Sequence, residues 1–188
     1  IQKSLLLDKN HTTFENLHLL EDNLSPPSSS LLLYENAFSK IKLIQEMTTT
    51  QSLPILYIDL DFLFSGYMKS QLLAIPNLSL FSTVESTIGE ILPKILTKIS
   101  TEPHLVIFDS MNGLYNTLSN NVDSGRVVNS ILMLLAQNSQ FTKSPLVIFA
   151  LVNKKDNNWI LPNGRQILEN ENMKKLFISD RSKITIEK

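Results

Sequence analysis

Four short runs constrain this chain more than any other feature. Residues 31–34, 55–60, 105–108 and 146–152 are each rich in leucine, isoleucine, valine or an aromatic, with almost no polar interruption. A run that stays apolar at every position, rather than at alternate ones, reads as a strand buried on both faces. The stretches between them carry helical spacing instead. Ile41, Leu43, Ile44 and Met47 fall on one stripe, and Ile88, Ile91, Leu92, Ile95 and Ile99 on a second, with Pro93 near its start or at a kink. Val127, Val128, Ile131, Leu132, Leu134 and Leu135 form a third. Strands alternating with helices predict right-handed βαβ units, hence a mainly parallel sheet flanked by helices. Residues 174–179 and 182–187 break the rhythm as two short strands around Asp180-Arg181, an antiparallel edge hairpin. The Pro- and Ser-rich turn at 25–30 is too short to separate domains. The expectation is a single α/β domain over 1–188, with a lead-in at 1–28 and a core at 29–188.

Composition then removes several classes of chemistry. The chain has no cysteine, which excludes disulfides, thiolate metal sites and cysteine nucleophiles, and is compatible with a reducing interior. His11, His18 and His104 are not at ligand spacing to one another, so no metal site is expected. A formal net charge of -1 provides no global basic field for nucleic acid, although a local basic surface remains open. Polar residues interrupt every apolar run well short of a membrane span. An intracellular location, cytoplasm or nucleus, is expected, and no membrane partner. The chain begins at Ile1, which leaves a preceding targeting segment open.

The order of motifs along the strands carries the functional reading. The first apolar run leads through "YENAFSKI", residues 34–41, into the first helical stripe. In the register of the phosphate-loop pattern G-x-x-x-x-G-K-[ST], only Lys40 survives; Tyr34 and Ser39 stand in place of glycines and Ile41 in place of the hydroxyl. The second run, "YIDLDFLF", ends in Asp59 and Asp61, where acids point into the crevice used by such sheets for ligands. The third ends in Asp109-Ser110, the form of a Walker B strand whose aspartate holds Mg²⁺. Ser124-Gly125-Arg126 follows in a loop, and the fourth run ends in Asn153-Lys154.

Taken in this order, these segments resemble the RecA/RadA recombinase ATPase core, and more closely its recombinase-paralogue branch. The family's second strand commonly reads Y-I-D-T-E-G-T-F, its Walker B strand ends in D-S, an S-G-R loop follows, and its fourth strand ends in N-Q. Even residues 13–29 are similar to the family's lead-in, without its glycines. The resemblance implies a RecA-like P-loop NTPase core over nearly the whole chain. It also implies a nucleotide site at Lys40, Asp61, Asp109 and Ser110, which the departures make vestigial. Without glycines the backbone cannot cradle phosphates. Asp61 is one methylene shorter than the family's catalytic glutamate, and a displacement of about 1 Å can cost roughly a hundredfold in rate. Lys154 replaces the γ-phosphate-sensing glutamine and could fill the vacated cation site between Asp61 and Asp109. No catalytic residue, no ATP hydrolysis and no Mg-ATP cofactor are therefore expected. The plainer alternatives stay open: Lys40 as a solvated residue at a helix start, Asp61 and Asp109 as caps.

Family members of this kind persist as structural subunits beside other RecA-like chains, in homo- or hetero-oligomers. The resemblance implies a non-catalytic recombinase paralogue in homologous recombination and DNA repair. One alternative is a subunit of an Elongator-like ring acting on tRNA; another is a weak ATPase of KaiC or RadA type. The family's two DNA-contacting loops match residues 115–126 and 154–165 here. Arg126, Lys154, Lys155, Trp159 and Arg165 are thus candidates for single-stranded DNA or RNA, charge tracking phosphates while an aromatic stacks on a base. In the lead-in, Phe14, Leu17, Leu19 and Leu20 are either an interface with a neighbouring subunit or a short helix packed on the chain's own sheet.

Overall fold

The computed structural model describes residues 14–24, 28–84, 86–156, 158–162, 165, 167, 173–179 and 182–187. In chain order the first half runs α1 (Leu17–Asn23), β1 (Ser29–Tyr34), α2 (Ala37–Thr50), β2 (Ile55–Asp59), α3 (Leu63–Lys69), β3 (Leu78–Ser82) and α4 (Ile88–Thr101). The second half runs β4 (Leu105–Asp109), α5 (Met111–Thr117), α6 (Ser124–Phe141), β5 (Leu146–Leu151), β6 (Asn153–Lys155), β7 (Asn158–Ile160), β8 (Met173–Ile178) and β9 (Ile184–Glu187). Seven strands form one sheet in the order β3-β2-β4-β5-β1-β8-β9. Every pairing in it is parallel except β8 with β9. β6 and β7 form a separate antiparallel ribbon.

Each of the four apolar runs is a central strand, buried on both faces. Alternate residues feed two cores. Leu31, Leu33, Leu56, Ile58, Val106 and Phe108 pack on one face with Ile91, Ile95 and Ile99 of α4 and Val128, Leu132 and Leu135 of α6. Leu32, Tyr34, Ile55, Tyr57, Leu105 and Ile107 pack on the other with Leu43, Ile44 and Met47 of α2 and Phe64 of α3. The period of two in a strand therefore puts Tyr34, Tyr57, Asp59 and Asp109 toward the α2–α3 face.

Three local signals set the helices. Asn36 caps α2, its side chain accepting from the Phe38 amide at 2.8 Å, so the helix starts before the stripe that begins at Ile41. Glu90 accepts from the Thr87 amide at 2.7 Å at the start of α4. Pro93 lies inside α4 on its exposed side. Ser124-Gly125-Arg126 is not a loop as expected but the first turn of α6.

The tail forms an antiparallel hairpin at the sheet's edge, as the sequence predicts, with β8 also pairing in parallel with β1. Its expected turn at Asp180-Arg181 lies outside the described residues. The lead-in settles on the chain's own core. Phe14 and Leu20 are 3% and 0% exposed, and Leu17 and Leu19 pack beside them. Of the two readings of this segment, packing on the chain's own sheet holds for Phe14 and Leu20, whose apolar surface is already buried, while Leu17 and Leu19 are partly buried. The Glu15 amide donates to the Ser182 carbonyl at 2.9 Å, and the Ile184 amide donates to the Glu15 carbonyl at 3.1 Å. Asn16 Nδ2 adds a bond to the Ile184 carbonyl at 3.3 Å. Among the described residues no helix is long and apolar enough to cross a membrane.

Candidate functional site

Lys40 sits in the first turn of α2 and opens that helix's buried stripe, at the 3.6-residue spacing that continues through Leu43, Ile44, Met47 and Thr48. Its side chain is 1% exposed. The reading of Lys40 as a solvated residue fails for that reason: helical geometry turns it inward, toward the carboxyl ends of the strands. Its Nζ donates to both oxygens of Asp109, at 2.7 and 2.8 Å. The Tyr57 hydroxyl donates to Asp109 Oδ2 at 2.6 Å. Lys40 Nζ also lies 3.9 Å from Asp61 Oδ2 and 5.1 Å from the centroid of the Tyr34 ring.

Burial pushes the Asp109 carboxyl above its usual range, and the Lys40 ammonium and the Tyr57 hydroxyl pull against that shift. Burial, reinforced by the negative charge of Asp109, raises the Tyr34 and Tyr57 hydroxyls well above theirs, so both stay neutral, and Tyr57 is the donor to Asp109. The cluster is a buried ion pair with its acceptors satisfied from two sides.

Asp61 and Ser110 hold a second layer. Ser110 Oγ donates to Asp61 Oδ2 at 2.6 Å and accepts from the Gly113 amide at 3.2 Å as the cap of α5. A Cβ at Gly113 would stand 2.6 Å from Asp61 Oδ1 and 2.7 Å from the Leu60 carbonyl carbon, so α5 approaches the end of β2 as only glycine permits. Asp59 Oδ2 accepts from the Ser65 amide at 2.6 Å and the Ser65 hydroxyl at 2.5 Å, fixing the start of α3. Of the acids at the strand ends, Asp59 and Asp61 thus serve helix starts, while Asp109 binds the lysine.

The fold family implies Mg-nucleotide here, and the residues as arranged do not fit it. Both oxygens of Asp109 are engaged within the chain, Ile41 carries no hydroxyl, and Asn36 spends its side chain on the Phe38 amide. Two open grooves, of about 480 Å³ along residues 117–122 and about 590 Å³ between Phe62, Ile88 and Leu118, lie to the side of this cluster and are lined by neither Lys40 nor Asp109. Among the described residues no group of three or more His, Asp or Glu is placed to hold a metal ion.

The sequence reading named Lys40, Asp61, Asp109 and Ser110, and the structure brings all four together. It misses Tyr57 and Tyr34, which complete the cluster; strand alternation, which places both on the face of Asp109, was the available signal. The expectation that Lys154 fills the cation position is wrong. Lys154 is exposed on β6, with Nζ 5.5 Å from the centroid of the Trp159 ring, and Lys40 holds the position instead.

The nucleic-acid candidates divide. Lys154, Lys155 and Arg126 are exposed, Arg126 at 88% with Asp123 3.8 Å away. Trp159 is stacked on Phe177 at 4.4 Å and donates Nε1 to Glu187 Oε2 at 3.1 Å. It therefore anchors the ribbon to the sheet, which corrects its reading as an open stacking platform. Arg165 Nη1 donates to Ser124 Oγ at 2.9 Å, and its guanidinium lies 4.4 Å from the Tyr115 ring centroid. That contact joins the two candidate segments and corrects the reading of Arg165 as a free phosphate contact.

No protein-family model matches the sequence, and no curated protein matches it either. Among solved structures the chain is similar to the RadB recombinase, with a TM-score of 0.55 and 15% identity over 84% of this chain and 80% of that one. A KaiC-like protein from Pyrococcus horikoshii aligns at a TM-score of 0.47 and 9% identity, over 93% of this chain and 96% of that one. At such identity the RadB likeness shows a shared fold and nothing of activity.

Proposed function

From the premise of a RecA-like fold, we propose that this chain is a non-catalytic accessory subunit of the recombinase-paralogue kind. It acts through contact with other RecA-like subunits and with single-stranded nucleic acid. One observation carries the non-catalytic part: the aspartate at the Walker B position is fully buried, and both its oxygens are taken by Lys40 and Tyr57. To reach Mg²⁺, Asp109 would have to break a buried ion pair, which costs roughly 3–5 kcal/mol before any ligand is bound. The likeness to the RadB recombinase supplies the fold, and the order of motifs along the strands the recombinase side of the reading. Exposed Lys154, Lys155 and Arg126 are suited to phosphate contacts.

Thermal unfolding with Mg-ATP, Mg-ADP and single-stranded oligonucleotides tests this, since a ligand that binds only the native state raises the melting temperature. The expected result is no response to nucleotide, and oligonucleotide binding that weakens between about 50 and about 200 mM salt. A clear Mg-ATP shift would put the weak-ATPase alternative first. Silence toward both would remove the nucleic-acid role and leave a scaffold, whose protein partner is then captured from cell extract.

A further inference from the structure

A buried carboxylate is held by donated hydrogen bonds, a proton, a metal or a permanent cation beside it. Asp109 is 0% exposed, at the end of a central strand, and its cation comes from a residue 69 positions away in the chain. Lys40 is the charged member of an otherwise uncharged buried stripe on α2. Its ammonium meets groups from three strand ends: Tyr34 of β1, Asp61 just beyond β2, and Asp109 of β4. In the sheet β5 separates β1 from β4, so this one side chain ties the end of β1 to that of a strand with which it shares no hydrogen bonds. The other cation expected at the site, Lys154, stands elsewhere, over Trp159.

We propose that Lys40 is a built-in counter-ion, whose ammonium occupies the position beside Asp109 that would otherwise need a bound cation. The Asp109 carboxylate is thereby matched by a cation of the chain itself, without any ligand. This inference rests on the non-catalytic reading and deepens it: the site is occupied by the chain itself rather than merely stripped of glycines. Removing the ammonium should therefore recreate a small cation site, one that admits an amine able to donate hydrogen bonds to Asp109.

The test is thermal unfolding of the full chain, wild type against Lys40→Ala, with methylammonium chloride, tetramethylammonium chloride or sodium chloride at equal ionic strength. The variant should melt about 10 °C lower. Methylammonium should restore part of that loss, whereas the other two salts should not, because neither cation carries an N–H donor. The wild type should respond to all three alike, and the rescue should vanish in Lys40→Ala/Asp109→Asn. Equal melting of variant and wild type, equal action of the three salts on the variant, or rescue that survives Asp109→Asn would each overturn the proposal. Should Lys40→Ala fail to fold, Lys40→Met against Lys40→Met/Asp109→Asn decides the matter. The double variant should be the more stable, and a double variant no better than the single would overturn the counter-ion. A Mg-ATP shift in the wild type, read in the same instrument, bears on the non-catalytic reading, while the amine rescue bears on Lys40 alone.

Discussion

Lys40 and Lys154 each follow a strand at the carboxyl edge of the same sheet, and the fold treats them in opposite ways. Lys40 is swallowed by the interior, with both oxygens of one aspartate in its grasp. Lys154 stands in solvent on a two-stranded ribbon, held near Trp159 by a contact with the ring. A buried ammonium is bound to one partner and contributes to the fold; an exposed one contributes little to stability and is available to phosphates. The difference comes from position on the secondary structure. Lys40 lies on the inward stripe of a capped helix, and Lys154 on a ribbon whose own strand is exposed throughout.

The contrast can be broken most severely at its buried end. Lys40→Met leaves Asp109 without its cation and should cost about 3–5 kcal/mol near neutral pH. The pH dependence has a definite sign. Burial already raises the Asp109 carboxyl above 3.8, and losing Lys40 raises it further. A carboxyl raised by folding contributes stability that is full below its unfolded value and is lost as pH rises through its folded value. The gap between Lys40→Met and wild type should thus widen with rising pH and narrow on acidification toward 3.8, checked by urea unfolding across that range.

Smaller changes sharpen the comparison. Gly113→Ala forces a Cβ against Asp61 Oδ1 and the Leu60 backbone and should cost about 1–3 kcal/mol, measured by the same unfolding curves. Asn36→Ala removes the cap of the helix that carries Lys40 and should cost about 1 kcal/mol. At the exposed end, Lys154→Ala/Lys155→Ala should change stability by no more than about 0.5 kcal/mol. The same pair should lower the salt dependence of single-strand binding by about 0.7 in logarithmic slope for each phosphate no longer neutralised, read from titrations at several ionic strengths.

The sequence made the central strands legible because each carries a run apolar at nearly every position, the pattern of two-sided burial. It concealed β3, where Leu78–Ser82 lies half-buried at an edge and mixes serine with leucine. It also concealed the ribbon, whose residues Asn153–Lys155 and Asn158–Ile160 carry no periodic signal. At the site, the four residues named from motif order converge, since strand ends and helix starts fix where they lie. Their pairing was not visible. Nothing local links Lys40 to Asp109 across 69 positions, or Trp159 to Glu187 across 28. What could have been read is the helical spacing from Lys40 to Leu43, Ile44 and Met47, which already places the lysine on the apolar side.

The two backbone bonds that Glu15 makes beside β9 have a consequence for assembly. An open strand edge is a template on which another chain can add a strand. Glu15 and the Asn16 side chain already take up the Ser182 carbonyl and the Ile184 amide and carbonyl, so the start of β9 offers no such template. At the opposite margin β3 has β2 on one side and no strand among the described residues on the other. Strand addition is thus closed at the start of β9, whereas among the described residues no strand closes the outer margin of β3.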